Sequence, residues 1–317
     1  MLGPLKGDHP RAERARLLTA FAAVYVLWGS TFLAMRFSIR TIPPFLMASG
    51  RHLTAGVLLI AFTARRLGRR PTLAEWRDAA VVGVLLLGAN GLVAWSELRV
   101  PSGTAALLVA TVPLWMVLID WLRPQGLNPG PTVLLGLAIG FAGLVTLVGP
   151  GAFVGHAAMD LSGAAALVLG SIVWAGGSIT AQRQHHVPVP LLAVGMQMVC
   201  GGGALFVVAT LTGETTGFSL AQVSMASWLG WGYLVVFGSL VGFTAYAYVL
   251  RHTTAARAST YAFVNPVIAV VLGWAFAGEL VTARTLSATA VIVAGVVLIT
   301  AARTRVSHVV VEEPTGD

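Results

Sequence analysis

The sequence predicts an all-α polytopic membrane protein whose ten transmembrane helices form two inverted five-helix repeats. Three observations predict it. Hydrophobic residues make up 56% of the 317 and charged residues 10%, against about 25% charged in an average soluble domain, and mean hydropathy is +0.82. The apolar residues fall into runs near the roughly 20 residues that a helix needs to cross a bilayer. The second half also echoes the first in the same order. The net charge of +8 is scattered between the runs. It forms no basic face, which argues against a nucleic-acid partner.

The runs lie at 17–37, 43–64, 78–98, 101–122, 131–148, 161–181, 189–212, 226–249, 254–276 and 284–302. Each is expected to be a helix, because in hydrocarbon the backbone satisfies its polar groups only within a helix or a closed barrel, and strand-like alternation is absent. The chain divides into a cytoplasmic segment 1–16, a first repeat 17–148, an external connection 149–160, a second repeat 161–302 and a cytoplasmic tail 303–317. The run from Leu17 is too long for the apolar core of a secretory signal.

Basic residues set the orientation. With the N-terminus inside, fifteen Lys and Arg fall on the cytoplasmic side and only Arg36, Arg40, Arg99 and Arg284 on the other, Arg51 lying within a span. Cytoplasmic loops retain such residues, so both termini are expected in the cytoplasm of a bacterial inner membrane. In the repeat, Trp28-Gly29-Ser30 is echoed by Trp174 through Ser178 and Pro44 by Pro190. Pro113 pairs with Pro266, Trp95 with Tyr248, and Gly143 with Gly295. Five spans per unit is an odd number, so the second copy enters the membrane in the opposite sense, as in transporters whose halves rock around a midplane site.

Pro113 and Pro266 sit at equivalent mid-span places beside Thr111 and Asn265. Helices broken at matching positions point to a substrate site; the plainer alternative is a packing kink. Trp76, Trp121, Trp228 and Trp231 fall near span ends, as an interfacial belt does. Trp28, Trp115 and Trp174 lie deeper, and with Trp95, Tyr246, Tyr248 and Tyr261 they are candidates for an aromatic cavity lining, facing apolar side chains and ammonium groups. Among the deep polar residues, Ser30, Thr31, Asn90, Ser178, Gln182, Gln197 and Asn265, some simply join helices. Asn90 and Asn265 are the stronger substrate candidates, since an amide both donates and accepts.

Charge within a span is costly. Arg51 is the deepest, and Glu97, near the outer end of the third span, is its candidate counter-charge; a structural ion pair is favoured over direct substrate contact. His52 alone is weak evidence for proton coupling. Gly136, Gly140 and Gly143 share one helix face, which reads as close packing or as the face of a homodimer. No nucleotide-binding pattern occurs, and His185-His186 lack acidic or cysteine neighbours, so neither a cofactor nor a metal is expected, and no catalytic residue stands out.

These residues resemble the drug/metabolite transporter superfamily of the EamA type over 20–302, most nearly its YddG and YedA branch. The resemblance rests on Trp28-Gly29-Ser30-Thr31-Phe32, Pro43-Pro44 with Met47-Ala48 and Arg51, Gly88 to Gly91 around Asn90, Pro101-Ser102-Gly103 with Ala105-Ala106, Ala110-Thr111-Val112-Pro113, and Asn265-Pro266. It implies a ten-helix basket with spans one, three, four, six, eight and nine around a central cavity. It also implies efflux of amino acids and related metabolites, with cationic drugs handled by some members. The paired basic residues of the superfamily's sugar-phosphate exchangers are missing. The expected function is therefore secondary export of neutral, hydrophobic or aromatic amino acids. The alternatives are a multidrug or lipid-type efflux carrier or, less favoured, a membrane-embedded enzyme.

Overall fold

The computed structural model describes residues 9–123, 128–148, 160–183, 187, 189–253 and 260–311. The external connection expected at 149–160, apart from residue 160, and the His185-His186 pair lie outside the described residues. The described residues are helical without a strand. In chain order the helices are α1 (His9–Ser38), α2 (Pro44–Thr63), α3 (Leu73–Ser96), α4 (Ser102–Val109), α5 (Val112–Leu122), α6 (Pro131–Val148), α7 (Leu161–Arg183), α8 (Pro190–Leu211), α9 (Met225–Tyr233), α10 (Gly242–His252), α11 (Tyr261–Ala277) and α12 (Ala283–Val311). Among the described residues, seven helical segments are long and apolar enough to cross a membrane, and Pro131–Leu147, Val264–Ala277 and Ala283–Ile299 are shorter apolar helices.

Two expected single helices are interrupted. The run 101–122 breaks between α4 and α5 at Ala110 and Thr111. Pro113, two positions into α5, has no N–H to give the Val109 carbonyl and its ring crowds the preceding turn, so the helix restarts there. The run 226–249 is joined by a π-helical segment, Leu234–Val241, between α9 and α10. Pro266, by contrast, does not interrupt α11, which continues through it. It lies only five residues beyond Tyr261, so its missing N–H affects one early bond of the helix.

Helix starts are capped by local chemistry. Thr72 Oγ1 accepts from the Glu75 N–H and Glu75 Oε2 from the Thr72 N–H, a capping box that opens α3. Gly278 adopts a left-handed φ of 67° after α11, a conformation glycine takes without steric cost. The turn sends Glu279 back across α4, whose first N–H groups it accepts from Ser102 and Gly103.

Packing joins the halves through small residues. α2 lies along α8, α6 along α12, α3 along α7 and α8, and α1 against α11 and α10. A Cβ on Gly56 would come within 2.8 Å of the Gly195 carbonyl, and one on Gly295 within 2.8 Å of the Gly136 carbonyl. The glycine face of α6 is therefore occupied within the chain: Gly136 and Gly143 meet α12 and Gly140 meets Leu114. Large apolar residues such as Leu18, Phe62, Phe206 and Trp274 face outward, as they do where the surroundings are lipid rather than water.

Candidate functional site

At the centre of the bundle is a cavity of about 70 Å³ lined by Trp28, Arg51, Asn90, Trp174, Tyr261 and Asn265 among others. Both halves of the chain contribute to it. Trp28 is its structural hub. Its ring packs edge-on against Trp174 at 5.9 Å and Tyr261 at 5.2 Å, and lies 4.8 Å from Tyr246 and 5.3 Å from Phe243. Its Nε1 donates to the Gly238 carbonyl in the π-helical segment at 3.2 Å. Offset and edge-on ring contacts each add about 0.5–1.5 kcal/mol beyond simple burial, so more than burial holds this cluster together. Trp174 Nε1 is buried among these rings.

Asn265 anchors α11 to α1. With its amide nitrogen toward the two acceptors, it donates to the Tyr261 carbonyl at 3.2 Å and to the Tyr25 carbonyl at 3.0 Å. Tyr25 and Thr260 hydroxyls share a further bond of 2.6 Å between the same segments. Pro266 also lines the cavity, next to Asn265.

The structure gathers Trp28, Asn90, Trp174, Tyr261 and Asn265 at this cavity, with Tyr246 behind Trp28. It places the other candidates elsewhere. Ser30 bonds the Leu27 carbonyl and, at 2.7 Å, the Tyr233 hydroxyl of α9. The Ser178 hydroxyl donates to the Trp174 carbonyl one turn back. Thr111 is fully buried, donating to the Leu108 carbonyl and accepting from Trp115 Nε1 at 3.1 Å, while Trp115 packs on Phe141. Arg99 lies 3.9 Å over the Trp95 ring, and Tyr248 stacks on His252. Pro113 is buried at the α4–α5 break, where Ala110 and Val112 on either side of Thr111 reach the cavity instead.

The expected pairing of Arg51 with Glu97 is corrected. Arg51 lies seven residues into α2, about 10 Å from its start at 1.5 Å per residue, whereas Glu97 sits at the very end of α3. Arg51 instead donates from Nε to Ser239 Oγ at 2.8 Å and from Nη1 to Asn90 Oδ1 at 3.3 Å. The Glu97 backbone carbonyl accepts from the Arg36 guanidinium, and both its carboxylate oxygens are buried without a hydrogen-bond partner. His52 next to Arg51 bonds the Ala48 carbonyl through Nδ1 and packs edge-on against Phe243.

Sequence reasoning missed Phe243, Gly170 and Ser171 in the cavity wall. Phe243 carried a signal, since it follows the Gly238-Ser239 and Gly242 interruptions of an otherwise apolar run. It also lines a second cavity, of about 230 Å³, bordered by Gln182, Gln197, Tyr246 and Arg251. Phe243, packed on Trp28, thus borders both spaces. The central cavity is well short of the roughly 300–1,000 Å³ of a small-molecule pocket, so admitting a solute requires its walls to part.

The EamA-like transporter family matches twice, over residues 16–149 and 161–301. The chain is 38% identical over 286 residues to YedA of Escherichia coli strain K12, described as an uncharacterized inner membrane transporter, with 90% of each chain covered. It is 29% identical over 297 residues to a probable terminal-alkyne amino-acid exporter of Streptantibioticus cattleyicolor, covering 90% of this chain and 93% of that one. A crystal structure of a protein 20% identical superposes with a TM-score of 0.63, covering 91% of this chain and 98% of the other, a likeness of fold.

Proposed function

Since the chain belongs to the EamA-like transporter family, we propose that this membrane transporter is a secondary carrier exporting neutral, hydrophobic or aromatic amino acids and related metabolites across the inner membrane by alternating access. The observation that carries the reading is the central cavity, where Trp28 and Asn90 of the first half meet Trp174, Tyr261 and Asn265 of the second. A ring-walled space with amides suits a solute that has an apolar side chain and polar ends. The relative described as a probable amino-acid exporter supports that substrate class.

The ten apolar helical segments read as ten spans in two inverted units with both termini cytoplasmic. The contacts support this arrangement. α2 packs on its counterpart α8 and α6 on its counterpart α12, while α4 and α5 meet α7 as α11 meets α1. Such halves can rock against each other, opening the cavity to one side and then the other. A carrier of cationic drugs would present a carboxylate to its cargo, whereas the charged side chain on this wall is Arg51.

The test is uptake of a labelled amino-acid panel into proteoliposomes holding the purified chain, with and without a proton gradient and against empty liposomes. Saturable uptake of a few neutral or aromatic amino acids is expected. Uptake no faster than in empty liposomes across the panel would refute amino-acid export.

A further inference from the structure

We propose that the molecule bound in the central cavity carries a carboxylate and that the Arg51 guanidinium takes its charge. The proposal rests on the export reading above and narrows it. Arg51 is 1% exposed, and it is the charged residue among those lining the cavity. Its hydrogen bonds go to neutral groups: Nε to the Ser239 hydroxyl at 2.8 Å and Nη1, at a long 3.3 Å, to the Asn90 carbonyl oxygen. Nη2 lies against Gly238, where a Cβ would come within 2.8 Å of it. Among the described residues no carboxylate forms an ion pair with Arg51.

A cation removed from water and left without a counter-charge is strongly disfavoured, whereas one paired with an anion in good geometry is not. The cavity therefore favours a solute that brings the negative charge with it. A guanidinium matches a carboxylate with two parallel N–H···O bonds. The rings of Trp28, Trp174 and Tyr261 line the same cavity, and aromatic rings attract ammonium groups. A zwitterion is then matched at both ends. A solute with an ammonium group and no acid meets only repulsion from Arg51.

The experiment uses the full chain in proteoliposomes and matched pairs of labelled probes: L-phenylalanine, L-leucine and L-threonine, each beside its C-terminal amide. For at least one pair, the acid is expected to move ten-fold or more faster than the amide. Asn90→Asp sets a carboxylate beside Arg51 from within the protein, and it is expected to bring that ratio close to one. Equal rates for acid and amide in the unaltered chain, or an undiminished preference in folded Asn90→Asp, would overturn the assignment of Arg51 while leaving amino-acid transport standing. No flux of any probe would overturn both readings. The acid-to-amide comparison needs no variant, so it decides even if Asn90→Asp does not fold.

Discussion

Glu279 Oε1 accepts from both the backbone N–H and the hydroxyl of Ser102, each at 2.7 Å, and Glu279 Oε2 accepts from the Gly103 N–H at 3.0 Å. A residue of the second half thus caps a helix of the first. Loss of an N-cap acceptor costs about 0.5–2 kcal/mol. Glu279→Ala should lower the unfolding temperature of the detergent-solubilised chain, and Ser102→Ala should do so less, because two backbone donors keep their acceptor. An unchanged midpoint for Glu279→Ala would mean that the cap contributes nothing.

Gly83 sits where α3 crosses α8, and a Cβ there would fall 2.1 Å from the Gln197 carbonyl oxygen. Backbone cannot swing aside as a side-chain end does. Gly83→Ala is expected to force the helices apart at about 1–3 kcal/mol. Gly88→Ala, with nothing within 4 Å, should be neutral or slightly stabilising. Monodisperse yield and thermal midpoints of the two variants, compared side by side, check this; equal behaviour would contradict the crossing described.

Trp28 holds both a ring cluster and the bond to Gly238. Trp28→Phe keeps a ring and loses the bond, worth about 0.5–1.5 kcal/mol, so transport should persist at a reduced rate. Trp28→Ala removes the wall and should abolish saturable transport in protein that still elutes as folded. Initial rates in proteoliposomes distinguish the two, and wild-type rates in Trp28→Ala would exclude the cavity as the transport site.

Asp160 accepts from the Ser162 hydroxyl at 2.5 Å and from the Gly163 N–H at 2.7 Å, opening α7. These bonds, that of Ser162 foremost, hold its carboxyl below the usual aspartate value. A group whose folded-state pKa is depressed contributes stability above its unfolded value, and that contribution fades as pH falls through the folded value. The contribution is complete at neutral pH and declines below about pH 4. Thermal midpoints of Asp160→Asn should show a shallower loss between pH 5 and pH 3 (roughly the window of such a titration) than those of the unaltered chain; identical slopes would count against the cap.

The helices were legible because burial in lipid leaves long apolar runs, and Trp28, Trp174, Tyr261 and Asn265 were legible because depth along a run can be counted. Direction around the helix cannot be counted where every face is apolar. Trp95, Trp115 and Tyr248 were at suitable depth, yet their rings meet Arg99, Phe141 and His252. Arg51 looked like half of an ion pair because the sequence shows which charges exist but not which of them meet. The Glu279 cap joins residues 177 positions apart, beyond any local pattern. The π-helical segment left only a trace, glycines and a serine in an apolar run.

That segment has a consequence for motion. Adjacent residues of it hold the two central groups of the site, the Gly238 carbonyl on the Trp28 indole and the Ser239 hydroxyl on the Arg51 guanidinium. A π turn carries an extra residue relative to an α turn and occurs mostly as short insertions. Were that surplus residue passed along the helix, the indole and the guanidinium would both lose their present tethers in one step. One short segment thus tethers both the ring wall and the charge.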